Sequence, residues 1–179
     1  MKKIFVLVFT AFVFFIVSCE HKNDTSAEKN AVISKIDSME KILFNSKSFS
    51  VDKKLAHNVV NSYLDFAKNY SDDSAHCAEY LFRASELANA MKEYFQAINY
   101  LSRICKNYPK FKKIPECIFL QGFYYQEFLK DTIRAKEFYE QLISKYPTHA
   151  FANDAKALMN MFGKSEEVLI KEFEKKETN

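Results

Sequence analysis

Few side chains in this 179-residue chain are placed to do chemistry. The four cysteines, Cys19, Cys77, Cys105 and Cys117, could supply a nucleophile, a metal ligand or a disulfide. No two of them form a CxxC pair, and His76 beside Cys77 has no second histidine or cysteine three or four residues away, the spacing that sets two donors on one helix face. Glu86, Glu93 and Glu127 could be imagined as an acid and a base, but glutamates on helix surfaces are ordinarily solvated. The two glycines are isolated, so no phosphate-cradling loop is available, and neither HExxH nor GxSxG occurs. The expectation is a protein that is not an enzyme and that needs no metal or cofactor.

Cys19 has a different context. Lys2 and Lys3 precede an apolar run from Ile4 to Val17, and the polar stretch after Cys19 stops that run short of the roughly 20 residues a spanning helix requires. Residues 1–18 therefore read as a secretory signal. Ile16-Val17-Ser18-Cys19 also resembles the lipobox of bacterial lipoproteins, which implies acylation of Cys19 and cleavage just before it. Several acyl chains, at about 0.8 kcal/mol per buried methylene, can hold a soluble domain on a bilayer without a spanning helix. Residues 19–30 are polar and aperiodic and read as a lipidated, flexible tether to a helical domain over 31–179.

The elements that would position any site are helices. Only 2 Gly and 3 Pro leave few places for tight hairpin turns, while 48% hydrophobic residues argue for a packed core. Net charge is +3, and the basic residues are scattered; the short run Lys110, Lys112 and Lys113 reads as a solvated helix start or linker and not as a nucleic-acid surface. Helical spacing appears over 31–44, then in a run reaching Tyr70, and over about 75–90, 93–108, 115–129, 132–146, 150–161 and 165–175, with Gly163 expected to cap the seventh of these helices. "YLSRICKNYP" at 100–109 recurs as "FYEQLISKYP" at 138–147, 38 residues on, and more faintly as "SYLDFAKNYS" at 62–71. A fixed period of this size indicates stacked repeats, each an antiparallel helix pair unable to bury its apolar face alone. Proline after tyrosine lacks an amide hydrogen and disfavours helix in the residue before it, which explains why each pair ends there.

These units resemble the tetratricopeptide repeat. Gly122, Tyr125, Ala135, Tyr139, Leu142 and Pro147 fall on its pattern in one unit, and Ala84, Leu87, Ala97, Leu101, Ile104 and Pro109 in the unit before, with a 38-residue period in place of the common one of about 34. Longer units of this kind look like those of envelope lipoproteins of the BamD-like, outer-membrane assembly type. The resemblance implies an all-α solenoid of antiparallel helix hairpins. It also implies a non-catalytic protein-interaction scaffold, lipid-anchored in the envelope at the outer membrane of a Gram-negative bacterium, serving outer-membrane protein assembly or envelope coordination. By analogy, Leu81, Ser85, Phe119, Phe123 and Tyr124 would line a partner-binding groove. Two other readings stand beside this one: those aromatics are core or are covered by the helix at 31–44, and the protein is an envelope enzyme or small-ligand binder. Cys77, Cys105 and Cys117 could include one disulfide, whose pairing the sequence leaves open.

Overall fold

A computed structural model describes residues 22–45, 51–162 and 164. The described residues form seven helices and no strand: α1 (Lys22–Phe44), α2 (Lys53–Asn69), α3 (Ser74–Ala90), α4 (Tyr94–Asn107), α5 (Ile114–Glu127), α6 (Thr132–Lys145) and α7 (Ala150–Met159). Each packs on the next in sequence, so α1/α2, α3/α4 and α5/α6 make three stacked hairpins and α7 follows as a fourth leading helix. This is an all-α repeat array with the 38-residue period expected from the sequence. The expected helix at 165–175, the cap at Gly163, the signal segment 1–18 and Cys19 lie outside the described residues.

The helix starts have chemical causes. Asp52, Asp73 and Asp131 accept hydrogen bonds from the free amides of Leu55, His76 and Arg134 at 3.0, 3.2 and 3.0 Å, satisfying donors that a first turn leaves unpaired. His149 caps α7 through Nδ1, which accepts from the Phe151 amide at 3.3 Å. At the start of α5 Pro115 occupies the first turn, where a missing amide hydrogen costs nothing.

The helix ends show the repeat at the level of dihedral angles. Tyr70, Tyr108 and Tyr146 cap α2, α4 and α6 with φ/ψ of −123/48, −129/58 and −136/57. Each tyrosine carbonyl then accepts from the amide three residues on, Asp73, Phe111 or His149, at 2.9 to 3.0 Å. The first of these ends is built without proline, since Ser71 follows Tyr70. Proline therefore reinforces the stop at Tyr108 and Tyr146 but does not cause it; the tyrosine cap and the turn after it recur in all three.

The even helices supply the deepest core. Val59, Tyr63 and Phe66 on α2, Ala97, Leu101 and Ile104 on α4, and Ala135, Tyr139 and Leu142 on α6 occupy equivalent columns, and all are fully buried. Their spacing of four and three residues makes one stripe per helix. Gly122 lets α5 approach α6: a Cβ there would lie 2.7 Å from Cε1 of Tyr139, closer than packed atoms allow, with the Ala135 carbonyl at 3.3 Å. One expectation needs correcting. The helix begins at Lys22, so residues 22–30, which read as part of a flexible tether, belong to α1. That stretch has no glycine or proline to stop it, and Lys29 is drawn to Asp73 across the turn before α3, at 2.9 Å.

Candidate functional site

On the leading helices a row of half-exposed rings runs from α7 along α5 to the start of α4. His149 stacks on Phe151 at 5.4 Å, Phe151 on Phe119 at 4.8 Å, and Phe119 on Phe123 at 6.2 Å. Phe123 then meets the edge of Phe128 at 6.1 Å, and Phe128 lies flat on Tyr94, 4.1 Å away and within 4° of parallel. Phe119 and Phe123 are one turn apart on α5, so they share a face. Phe128, just past the end of α5, is 41% exposed. A continuous aromatic strip of this kind offers flat apolar area at low entropic cost, which is the chemistry of a protein-docking surface.

The residues expected to line a groove divide in two. Phe119 and Phe123 lie on this strip with part of their surface open. Leu81, Ser85 and Tyr124 are buried, and the Ser85 hydroxyl is used internally, donating to the Phe82 carbonyl at 2.7 Å. As the structure stands, those three offer no surface to a partner. Leu81 and Ser85 occupy on α3 the columns that Phe119 and Phe123 occupy on α5; the smaller pair sinks between helices and the larger rings do not. Tyr124 projects from the neighbouring face of α5, and burial pushes its hydroxyl up to about 12. Tyr94, Phe128, His149 and Phe151 had no signal of their own, because the strip is assembled from three separate segments, the start of α4, α5 with its C-cap, and the start of α7. Helix α1 does not cover it: α1 packs on α2 and reaches α3 through Glu40 and Lys29.

That α1–α3 seam is polar. Arg83 Nη1 donates to both carboxylate oxygens of Glu40, at 2.8 and 3.0 Å, and the Tyr63 hydroxyl donates to the same carboxylate. Tyr63 stacks on Tyr80 at 5.1 Å, and the Arg83 guanidinium sits 5.9 Å from the Tyr80 ring centroid. Burial, and next the bond to Glu40, raise the Tyr63 hydroxyl well above its ordinary value.

The acid–base candidates are not brought together. Glu93 pairs with His57 at 3.1 Å, Glu127 accepts from Gln126 at 2.9 Å, and burial raises Glu86 above the ordinary carboxylate range in a third neighbourhood near Lys113. His76 turns to Asp73, Nδ1 to carboxylate 3.0 Å, whereas the Cys77 thiol donates to the Tyr70 carbonyl at 3.3 Å. A partly open groove of about 710 Å³ lies where α3 starts and α4 ends, lined by residues that include Glu79, Tyr108, Pro109, Lys110, Phe111 and Lys112. Among the described residues no helix is long and apolar enough to cross a membrane.

Residues 79–110 and 116–149 each match the family model of the tetratricopeptide repeat. These two hairpins are tetratricopeptide repeats. The crystal structure of MamA aligns with 89% of this chain and 99% of its own, at 17% identity and a TM-score of 0.39. A search of the curated proteins finds no match. In each tetratricopeptide repeat the small residues stand where the hairpin closes, Ala84 with Ala97 and Gly122 with Ala135, all of them buried. The aromatic strip runs along the leading helix of the second repeat and onto the helix after it.

Proposed function

We propose that this protein is a lipid-anchored lipoprotein of the bacterial envelope whose tetratricopeptide repeats serve as a non-catalytic scaffold for other envelope proteins, in outer-membrane protein assembly or envelope coordination. The single observation behind the scaffold reading is the half-exposed strip from Phe151 through Phe119 and Phe123 to Phe128: stacked helix pairs with open aromatic area are built to receive a polypeptide segment. The anchor reading rests on the residues leading to Cys19, and the outer membrane of a Gram-negative bacterium is the location it favours.

Two measurements test the proposal. A photo-crosslinking side chain at position 123, compared with one at position 112 on the far rim, should give a reproducible protein adduct in the envelope from the first site alone. Equal adducts from both sites, or none from either, would remove the docking role. Labelling with a fatty-acid probe should mark the wild type in the outer-membrane fraction and leave Cys19→Ala unmarked; an unlabelled wild type would end the anchor reading. The groove between α3 and α4 supports a second reading, a small-ligand binder. It would prevail if a saturable ligand were lost on Phe111→Ala while the strip captured nothing.

A further inference from the structure

Of the three cysteines in the described residues, two flank the joint between the repeats and share the side-chain amide of Gln121. Cys105 lies in the last turns of α4, which ends at Asn107, and Cys117 in the first turn of α5, which begins at Ile114. One amide marks the place: Nε2 of the buried Gln121 is 3.1 Å from the Cys117 carbonyl and 3.7 Å from the Cys105 sulfur. Each thiol is the largest single influence on the other's protonation, downward at Cys105 and upward at Cys117. Cys77 is occupied elsewhere, donating to the Tyr70 carbonyl at 3.3 Å. Cys105 is half-buried and Cys117 fully buried.

We propose that Cys105 and Cys117 form a disulfide that staples one tetratricopeptide repeat to the next, with Cys105 as the entry sulfur and Cys77 remaining a thiol. The Cys117 thiol, then the Gln121 amide and the charge of Lys145, hold the Cys105 thiol below its ordinary value against the opposing effect of burial. Cys117 is raised, first by Cys105 and then by burial. The more exposed sulfur is thus also the one that ionises first, the arrangement that selects an attacking thiolate.

The reaction balances with an external disulfide as oxidant. The Cys105 thiolate attacks one sulfur of that disulfide and expels the other as a thiolate, forming a mixed disulfide. Cys117, losing its proton, then attacks Cys105 sulfur and expels the second thiolate. Two electrons and two protons pass to the oxidant, which leaves as two thiols. Pairing of these two sulfurs follows from the fold alone, whereas its occurrence in the cell rests on the envelope location proposed above.

Full-length protein treated with oxidised glutathione should yield, on proteolysis and mass spectrometry, a Cys105–Cys117 linked peptide. Cys77→Ser should retain the link, and Cys105→Ser and Cys117→Ser should each abolish it, with circular dichroism confirming that the half-buried Cys105→Ser variant stays folded. Oxidised Cys77→Ser should melt roughly 5 °C or more above its reduced form, as closure of a short loop across a domain of this size predicts. Gln121→Leu should slow alkylation of Cys105 severalfold and move its thiolate absorbance to higher pH. A link through Cys77, or a glutathione adduct on Cys105 that never resolves, would overturn the proposal. Free thiols trapped in intact cells, alongside an efficient link in the test tube, would leave the pairing standing and refute the envelope location.

Discussion

The seams that join successive leading helices are closed in two different ways. Between α1 and α3 the Glu40 carboxylate binds Arg83 and Tyr63, and nearly every polar group there is consumed inside the molecule. Between α5 and α7 the contact is the Phe119–Phe151 stack, and the rings keep part of their faces open. A charged seam satisfies itself, since its donors converge on one shared carboxylate. An aromatic seam has area to spare, so the same architecture provides a closed structural joint at one end and a partly open aromatic strip at the other.

The comparison breaks most visibly at Glu40. Glu40→Ala leaves Arg83 and Tyr63 without their acceptor and should cost about 3 kcal/mol in urea unfolding; a loss below about 0.5 kcal/mol would mean that apolar contacts already hold that seam. On the aromatic side Gly122→Ala drives a methyl into the Tyr139 ring, which also contacts Phe119, and should cost about 2 kcal/mol by the same measurement. It should weaken partner capture as well, whereas Glu40→Ala should not.

Phe123→Ala removes one link of the strip without opening the core. It should lower partner binding about tenfold, or roughly 1.4 kcal/mol by titration calorimetry, with a smaller effect on stability. Lys92 and Lys130 are equivalent positions in the turns between α3 and α4 and between α5 and α6, and both hold left-handed backbone, φ 65° and 55°. Glycine at either should stabilise by about 0.5–1 kcal/mol, equally at the two sites if the seams act independently of the turns.

A pH dependence at Asp73 completes the set. Burial alone would raise its pKa, but hydrogen bonds from Lys29 and His76 outweigh that and hold it at about 2, against 3.8 for a free carboxyl. The folded value is depressed, so the contribution is complete above about pH 4 and is lost as pH falls through about 2. Melting temperatures of wild type and Asp73→Asn should converge over that interval, and a gap that persists at pH 2 would assign the effect to helix capping alone.

Much of the fold was legible because even helices carry their core as a local stripe: Tyr63, Leu101 and Tyr139 repeat at one period and are buried together. The role of Pro109 and Pro147 was overstated, since Tyr70 ends α2 with the same dihedral angles before a serine. The site was less legible. Phe123 and Tyr124 are adjacent aromatics, yet the wholly apolar ring is half open and the one with a hydroxyl is buried, a distinction set by what packs on α5. Phe151 and Tyr94 join the strip from helices far apart in the chain. The placing of Cys105 and Cys117 around the Gln121 amide likewise needed the α4–α5 joint before one pairing could be preferred.

Because successive helices alternate in direction, leading helices end and trailing helices begin on a single rim, and all the large apolar side chains exposed among the described residues fall there, Ile42, Phe95, Phe128 and Ile133 among them. Lys92 and Lys130 occupy the tight corners of that same rim, each three residues before an oily neighbour, Phe95 or Ile133. A glycine corner would relax the backbone but remove a cation from beside exposed hydrocarbon. The two lysines thus hold left-handed backbone at a small cost while keeping positive charge on the rim where the exposed hydrocarbon is concentrated.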